Sequence, residues 1–312
     1  MLTAGDFPPR LISIVGPTGI GKTGLAIALA RAFDGEIVGA DSRQIYRYMD
    51  IGTAKPTPAE QAAARHHLID VVDPDQTLSM AVYQSMAYAA IQDIHQRGKV
   101  PLLVGGTGQY VTAVLEGWSA PEVAPDPALR AELESLSAAE LYARLAPLDP
   151  VTAARIDRNN ARRLVRALEV CMLSGRPFSE QRRKHPPPFA VLEIGLNMAR
   201  ESLYPRLDAR IDQMMADGLL GEVERLVNMG YGWGLPAMSG LGYAQLGLYL
   251  RGEVSLAEAV MLIKQATRDF VRRQDTWFRR HGSPTWLIGE PDTFYDRAAG
   301  IVAAFLKGEA AR

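Results

Sequence analysis

The chain has 312 residues, of which 47 % are hydrophobic and 22 % charged, and its formal net charge is −1. This composition is ordinary for a folded protein, and the length predicts a core with an added part. Cys171 is the only cysteine, which excludes an intrachain disulfide and predicts a reducing, cytoplasmic setting. The sequence has no run of 18 apolar residues, so no membrane span is predicted.

The first predicted element is a strand at 11–15, followed by a glycine-rich turn and a helical pattern from residue 25. Parts in this order are typical of a phosphate-binding P-loop. Glycines allow backbone N–H groups to converge on a polyanion, and the helix N-terminus adds a favourable dipole. We expect Lys22 to contact the outer phosphates and the Thr23 hydroxyl to hold Mg²⁺. The predicted loop comprises Gly16, Pro17, Thr18, Gly19, Ile20, Gly21, Lys22 and Thr23.

Three further apolar runs follow, and they predict strands at 36–40, 67–72 and 100–104. Ser79 is placed to cap a long helix before the last of these strands. Strands that alternate with helices predict a parallel sheet covered on both faces. The sequence therefore predicts an α/β fold with a P-loop NTPase-like parallel sheet flanked by helices.

The pattern changes near residue 119, where a proline-rich segment is followed by helical periodicity alone. Helices are predicted there at 127–136, 138–146 and 160–174. Later elements are strands at 191–196 and 285–288 and a long helix at 255–281. We therefore predict a discontinuous core, 1–118 and 191–312, with a helical insertion at 119–190.

Basic residues are concentrated in two stretches. Residues 151–185 carry an excess of six positive charges, and the spacing of four arginines predicts one shared helix face: Arg155, Arg158, Arg162 and Arg166. A second basic stretch covers 264–281. Either stretch is explained by a solvated helix face or by binding of an extended polyanion such as RNA.

The acid that P-loop ATPases use to hold Mg²⁺ is missing from its usual place, because the buried strand at 100–104 is followed by Gly105, Gly106 and Thr107. An acid instead follows the strand at 36–40, as Asp41. Since the carboxyl ends of neighbouring parallel strands open onto one crevice, Asp41 and Thr107 are both expected to face whatever Lys22 binds. Asp41 is then placed to act as a base. The alternative for Asp41 and for Thr107 is a helix cap.

Several motifs together resemble one family, the bacterial tRNA dimethylallyltransferases, from about residue 10 to about residue 290. The similarity lies in the segments GPTGIGKT (16–23), DSRQIY (41–46), MDIGTAKP (49–56), LVGGT (103–107), RLVRALE (163–169), GY (242–243) and RQDTWFR (273–279). Their order and combination make the resemblance specific.

The resemblance implies transfer of a dimethylallyl group from dimethylallyl diphosphate to the N6 amine of an adenosine. That adenosine lies immediately 3′ of the anticodon in tRNAs reading codons that begin with U. The family uses Mg²⁺, and its helical insertion clasps the anticodon stem-loop. The P-loop then holds a leaving diphosphate. Nothing in the sequence demands more than a monomer.

Site roles follow from the same resemblance. Asp41 corresponds to the general base, Thr107 to a contact with adenosine or diphosphate, and either Arg206 or Arg210 to an arginine that contacts the diphosphate. Tyr243 either stacks on a base or is a core aromatic. The expected tRNA-binding residues are Asp41, Ser42, Arg43, Gln44, Thr107, Arg130, Arg162, Arg163, Leu164, Val165, Arg166, Gly240, Gly242, Tyr243 and Gln245.

The chain departs from the family pattern in two places. Asp157, Arg158, Asn159 and Asn160 replace a common His-Pro-Asn-Asp sequence, and Ala244 stands where a lysine is frequent. Two other functions remain open at this point. A P-loop small-molecule kinase explains the loop and Asp41 but leaves the arginine-rich helices without a role. A non-catalytic RNA-binding protein explains the charge but leaves the P-loop and Asp41 without one.

Overall fold

A computed structural model describes residues 8–118, 121, 123–124, 126–181, 184–185, 187 and 189–309. The chain divides into two compact units. The first combines Met1–Leu115 with Pro187–Arg312, and the second is Glu116–Pro186. The sequence pattern placed the insertion at 119–190.

The first unit is built on one parallel sheet, with six strands in the part of the chain that is described. The strands are β1 (Arg10–Val15), β2 (Gly35–Gly39), β3 (His66–His67), β4 (Val100–Gly105), β5 (Ala190–Asn197) and β6 (Thr285–Ile288). Their order across the sheet is β3-β2-β4-β1-β5-β6. The predicted fold class is therefore confirmed.

Helices follow the strands in the alternating pattern expected of such a sheet. They are α1 (Lys22–Ala32), α2 (Pro58–Ala63), α3 (Met80–Gln96), α4 (Gly108–Glu116), α5 (Pro127–Glu134), α6 (Ala138–Leu148), α7 (Pro150–Ala153), α8 (Ala161–Ser174), α9 (Phe178–Gln181), α10 (Arg200–Ala216), α11 (Leu219–Asn228), α12 (Tyr243–Leu250), α13 (Leu256–Arg280) and α14 (Phe294–Lys307). Within the described residues, no helix is long and apolar enough to cross a bilayer.

Two hydrophobic cores cover the two faces of the sheet, because successive side chains of a strand point to opposite faces. On β1, Leu11 and Val15 belong to the core that contains α3 and α4. Ile12 and Ile14 belong to the core that contains α1 and α14. This double burial explains why β1 is apolar at nearly every position.

The strand predicted at 67–72 is wrong beyond its first residue, since β3 covers only His66–His67. The backbone of Leu68 and of Asp70 is left-handed, with φ of 63° and 55°. This conformation cannot continue a strand. The amides of residues 70 and 71 donate instead to the carbonyls of Gln44 and Ile45, which attaches this segment to the turn after β2.

The second unit is helical, and its core contains Leu133, Leu141, Leu145, Leu164 and Leu168. The prediction of four arginines on one helix face is wrong. Helix α7 ends at Ala153 and α8 begins at Ala161, so Arg155 and Arg158 lie in the connection. Asn160, one of the departures from the family pattern, caps α8 by accepting the amide of Arg163.

Candidate active site

The P-loop connects the end of β1 to the start of α1 and passes close to β5. Gly16 has φ of 144°, and a Cβ on it would lie 2.6 Å from the carbonyl oxygen of Leu196. No other residue fits there. The loop therefore lies directly over the carboxyl ends of the central strands, which is the usual ligand crevice of such a sheet.

Lys22 occupies the first turn of α1, with its ammonium folded back over the loop. Its Nζ donates to the carbonyl oxygens of Gly16 at 2.9 Å and Pro17 at 2.7 Å. Burial and, to a smaller extent, the charge of Arg210 lower the pKa of Lys22 to about 8, while the charge of Asp41 opposes the shift. An anion bound here would stabilise the charged form of Lys22.

Two arginines of α10 lie against the same loop. Arg206 is exposed and its Nε donates to the carbonyl oxygen of Gly19 at 3.0 Å. Arg210 is half-buried, and its pKa is lowered by burial and by the charge of Arg206, while Asp41 opposes the shift. Lys22, Arg206 and Arg210 thus form a cluster of three cations, on which the charges of Asp41 and Glu60 act. The sequence left open which of the two arginines contacts the diphosphate. In the structure the two differ in position: Arg206 binds the loop backbone, and Arg210 faces Lys22 and Asp41.

Asp41 follows β2 and closes a turn over residues 42–45. Its Oδ1 accepts the amides of Arg43 at 2.8 Å and Gln44 at 3.4 Å. The sequence left open that Asp41 caps a helix; in the structure, one oxygen of Asp41 caps a turn. The other oxygen, Oδ2, has no hydrogen-bond partner among the described residues and is available as a proton acceptor.

Thr107 follows the next strand of the sheet, β4. Its hydroxyl accepts the Ser42 amide at 2.9 Å and donates to Ser42 Oγ at 3.2 Å. The Thr107 amide donates to the carbonyl oxygen of Ala40 at 3.1 Å. The structure thus brings Asp41 and Thr107 to one edge of the sheet beside Lys22.

Arg43 and Gln44, which the resemblance assigns to tRNA, make internal contacts through their side chains. Arg43 donates to the carbonyl oxygen of Pro236 at 2.6 Å and to Ser239 Oγ at 3.3 Å. Gln44 Nε2 donates to the carbonyl oxygens of Thr53 at 3.2 Å and Ala54 at 3.0 Å. Both side chains hold neighbouring loops in place around the Asp41 turn.

Tyr243 is a core residue, the second of its two predicted roles. Its side chain is 1 % exposed and its hydroxyl donates to Glu222 at 2.6 Å. It therefore cannot stack on a base in this structure. Glu222 also accepts the amides of Asp50, Ile51 and Gly52 at 2.8–3.1 Å. Next to Tyr243, the side chain of Gln245 accepts the Gly242 amide and Gly240 closes the preceding turn.

In the second unit, the predicted tRNA-binding residues fall into three groups. Arg162 and Arg163 are exposed at the start of α8. The side chains of Leu164 and Val165 are buried in the core of the unit, so they are closed to RNA. Arg130 and Arg166 both form ion pairs with the fully buried carboxylate of Glu169, at 2.8 Å and 2.6 Å.

Much of the second basic stretch is neutralised within the first unit. Lys264 pairs with Asp212, Arg268 with Asp208 and Arg272 with Asp269. Lys264 and Arg268 thus attach α13 to α10, which supports a structural role for them rather than RNA binding. Arg182 and Arg183, which contribute to the first basic stretch, lie outside the described residues.

Sequence reasoning missed the role of Gln274 on α13. Its side chain is 5 % exposed and bonds to both the P-loop and the loop after β4. The available signal was a polar residue at a buried helical position inside the segment RQDTWFR.

Comparisons with known proteins find relatives that match this chain over most of its length. Residues 44–281 match the family model described as IPP transferase. A tRNA dimethylallyltransferase of Roseiflexus sp. (strain RS-1) is 55 % identical over 300 residues, which cover 95 % of this chain and 98 % of the relative.

Two solved structures are similar over nearly the whole chain. One is a tRNA isopentenylpyrophosphate transferase from Bacillus halodurans, with 39 % identity, a TM-score of 0.71 and 96 % of each chain covered. The other is a eukaryotic dimethylallyltransferase acting on tRNA, with 27 % identity, a TM-score of 0.85, and coverage of 97 % of this chain and 81 % of that one.

The sheet and its P-loop define a P-loop NTPase-like protein. Within that class, the chain belongs to the IPP transferase family. The matches favour this family over a small-molecule kinase.

Proposed function

We propose that the protein transfers the dimethylallyl group of dimethylallyl diphosphate to the N6 amine of an adenosine in tRNA. The adenosine is the one immediately 3′ of the anticodon in tRNAs that read codons beginning with U. The observation that carries the proposal is the position of Asp41, which has a free carboxylate oxygen and lies between the cationic P-loop cluster and Thr107.

The cationic cluster holds the diphosphate in this proposal. Loop amides at the N-terminus of α1 bind phosphate oxygens, and Lys22 and Arg210 supply fixed positive charge. As the allylic C–O bond breaks, the electron pair goes to the diphosphate, and charge develops where these groups already lie. Preorganised cations at such a position stabilise the transition state.

Asp41 removes the proton that the amine must lose. The lone pair of an adenine amine is delocalised into the ring, so the amine is a weak nucleophile. A new N–C bond forms to the allylic carbon as the C–O bond breaks, and the N6 proton passes to Asp41 Oδ2. General base catalysis typically contributes roughly 10²–10⁴-fold in rate.

We propose Mg²⁺ as the cofactor, with Thr23 as its protein ligand. Thr23 follows Lys22 in α1, and its hydroxyl makes no hydrogen bond to the described residues. In P-loops the hydroxyl at this position holds Mg²⁺, and substrate phosphates and waters complete the coordination, so a single hydroxyl fits. The described residues contain no group of three or more His, Cys, Asp or Glu side chains that could hold a metal. When bound, Mg²⁺ neutralises charge on the diphosphate.

The tRNA is proposed to bind through its anticodon stem-loop, with the target base turned out of the loop toward Asp41. Exposed Arg162 and Arg163 contact the backbone, and the turn at residues 41–44 meets the base and its neighbours. We further propose that the protein acts as a monomer in the cytoplasm.

The test is incubation with unmodified tRNA, Mg²⁺ and radiolabelled dimethylallyl diphosphate, followed by nuclease digestion and nucleoside analysis. We expect label in N6-dimethylallyl adenosine. Absence of label from tRNA, with ATP-dependent phosphorylation of a small molecule instead, would overturn the proposal in favour of a kinase.

A further inference from the structure

The side-chain amide of Gln274 joins two loops of the candidate active site. Its Oε1 accepts the amide of Thr18 in the P-loop at 2.9 Å. Its Nε2 donates to the carbonyl oxygen of Gly106, after β4, at 2.9 Å. One buried side chain therefore satisfies a donor in one loop and an acceptor in the other.

The first bond fixes the peptide unit between Pro17 and Thr18. The N–H of this unit donates to Gln274, and its carbonyl oxygen accepts Lys22 Nζ at 2.7 Å. Because a peptide unit is planar, fixing the direction of its N–H also fixes the direction of its C=O. Gln274 thereby orients one of the two acceptors that hold the Lys22 ammonium.

The second bond fixes the peptide unit between Gly106 and Thr107. Its carbonyl oxygen accepts Gln274, and its N–H donates to the carbonyl oxygen of Ala40 at 3.1 Å. That carbonyl belongs to the peptide unit that begins Asp41. The same glutamine is therefore linked, through two planar peptide units, to Lys22 on one side and to Asp41 and Thr107 on the other.

The Gln274 amide packs tightly against the loop after β4. A Cβ on Gly106 would lie 2.3 Å from Gln274 Nε2, so the glycine is what admits the side chain. One turn further along α13, the indole N–H of Trp277 donates to Thr112 Oγ1 at 3.0 Å. The helix is thus fastened to α4 immediately beyond the bridged loop.

We infer that Gln274 is a positioning residue that sets the diphosphate-binding lysine at its working distance from the base Asp41. The expected effect of Gln274 on the transfer rate rests on the proposed function. Its expected effect on anion binding does not depend on that function. It assigns no contact between Gln274 and substrate.

The test compares Gln274→Met, which removes both hydrogen bonds at similar volume, with Gln274→Glu. Two controls accompany them. Gln213→Met makes the same change at an exposed position of α10, where the Gln213 side chain donates a hydrogen bond to Asp217. Tyr88→Phe removes a hydrogen bond to the carbonyl oxygen of Val114 away from the bridged loops. The measurements are the affinity for inorganic diphosphate, the single-turnover rate, tRNA affinity and the thermal midpoint.

For Gln274→Met we expect diphosphate affinity and single-turnover rate each to fall about tenfold or more, with tRNA affinity unchanged. Both controls should retain the parent values. Parent-like diphosphate affinity in folded Gln274→Met would overturn the inference, and so would an equal loss in Tyr88→Phe. If the parent transfers no dimethylallyl group, the proposed function fails, but the diphosphate measurement still decides the role of Gln274.

Gln274→Glu gives a readout that a purely structural role would not. A protonated carboxyl accepts from Thr18 and donates to Gly106, whereas a carboxylate faces the Gly106 carbonyl with no proton to donate. The diphosphate affinity of this variant, divided by that of the parent at each pH, should rise as pH falls. A ratio that is flat with pH, at the parent level, would contradict the inference even if Gln274→Met does not fold.

Discussion

Thr107 and Ser42 are joined twice: the Thr107 hydroxyl accepts the Ser42 amide and donates to the Ser42 hydroxyl. The two residues are 65 positions apart in the chain, yet they follow neighbouring strands of the sheet. The hydroxyl of Thr107 therefore does not cap its own helix. It fixes the beginning of the turn that Asp41 closes.

Removing this hydroxyl should misplace the base. In Thr107→Val we expect turnover to fall about tenfold or more, because small displacements of a reacting group are costly. Thr107→Ser keeps the hydroxyl and should retain most of the activity. Steady-state rates with saturating tRNA and dimethylallyl diphosphate provide the measurement. Equal activity of the valine and serine variants would remove the hydroxyl from this role.

Asp41→Asn separates the role of Asp41 as a proton acceptor from its role in holding the turn at residues 42–45. The amide oxygen still accepts the Arg43 and Gln44 amides, but the side chain no longer takes up a proton at neutral pH. Turnover should fall roughly 10²–10⁴-fold, with tRNA and diphosphate affinities close to those of the parent. Single-turnover kinetics and filter binding measure the two effects. Near-normal turnover would show that another group accepts the proton.

The lowered pKa of Lys22, about 8, makes anion binding sensitive to pH. Below this value the ammonium is charged and binds diphosphate; above it the charge is lost. Affinity should therefore weaken as pH rises through about 8, by up to about tenfold per pH unit. Lys22→Arg stays charged throughout. Calorimetric titration with inorganic diphosphate should give a flatter pH profile for the arginine variant, and parallel profiles would contradict the assignment.

Arg163 should contribute to the salt dependence of tRNA binding. A charge that contacts a phosphate releases a counterion on binding, so Arg163→Gln should weaken affinity and reduce the slope of log K against log salt by about one. Arg144→Gln is the matched control, because Arg144 lies in the same unit, exposed on α6, and pairs with Glu132. A slope that is unchanged in Arg163→Gln would return this arginine to a solvated helix face.

Glu36 should stabilise the folded protein at neutral pH, and this contribution should be lost as the pH falls. It is buried on β2, where hydrogen bonds from Arg97 outweigh burial and lower its pKa to about 2. A carboxyl with a lowered pKa stabilises the fold above its ordinary value near 4.5, and this stability is lost as pH falls toward about 2. Glu253→Gln is the control, because Glu253 is exposed and pairs with Arg251 at the surface. Relative to this control, Glu36→Gln should reduce the free energy of unfolding by about 3 kcal/mol at pH 7, and the difference should shrink on acidification. A constant difference would contradict the shift.

The P-loop, the alternation of strands and helices in the core and the helical character of the insertion follow from local patterns, because glycine spacing and apolar periodicity act over a few residues. The carboxyl end of β3 could not be predicted from such patterns, since left-handed residues at 68 and 70 interrupt an apolar run. Nor could the pairing of α13 with α10, because Asp208 and Asp212 are 60 and 52 positions from their partners.

Within the candidate site, it was easier to predict which residues lie close together than to predict what each side chain binds. Parallel strands bring their carboxyl ends together, so Asp41 and Thr107 were expected to meet. Whether a polar side chain then faces substrate or its own protein depends on loops that are distant in sequence. Arg43 bonds to Pro236, and Gln274 to Thr18 and Gly106.

The carboxylate of Glu222 sits on three successive backbone amides, 50–52. Consecutive amides of this kind form the concave anion receptors that proteins also use for phosphate. The described part of the first unit thus holds two groups of amides of this kind: the Glu222 carboxylate occupies one, and the other is the P-loop, where we propose that the diphosphate binds. Because the Glu222 carboxylate already accepts amides 50–52, a free diphosphate cannot bind to these amides. In Glu222→Gln the side chain would carry no negative charge, so amides 50–52 would lose the anion that they bind.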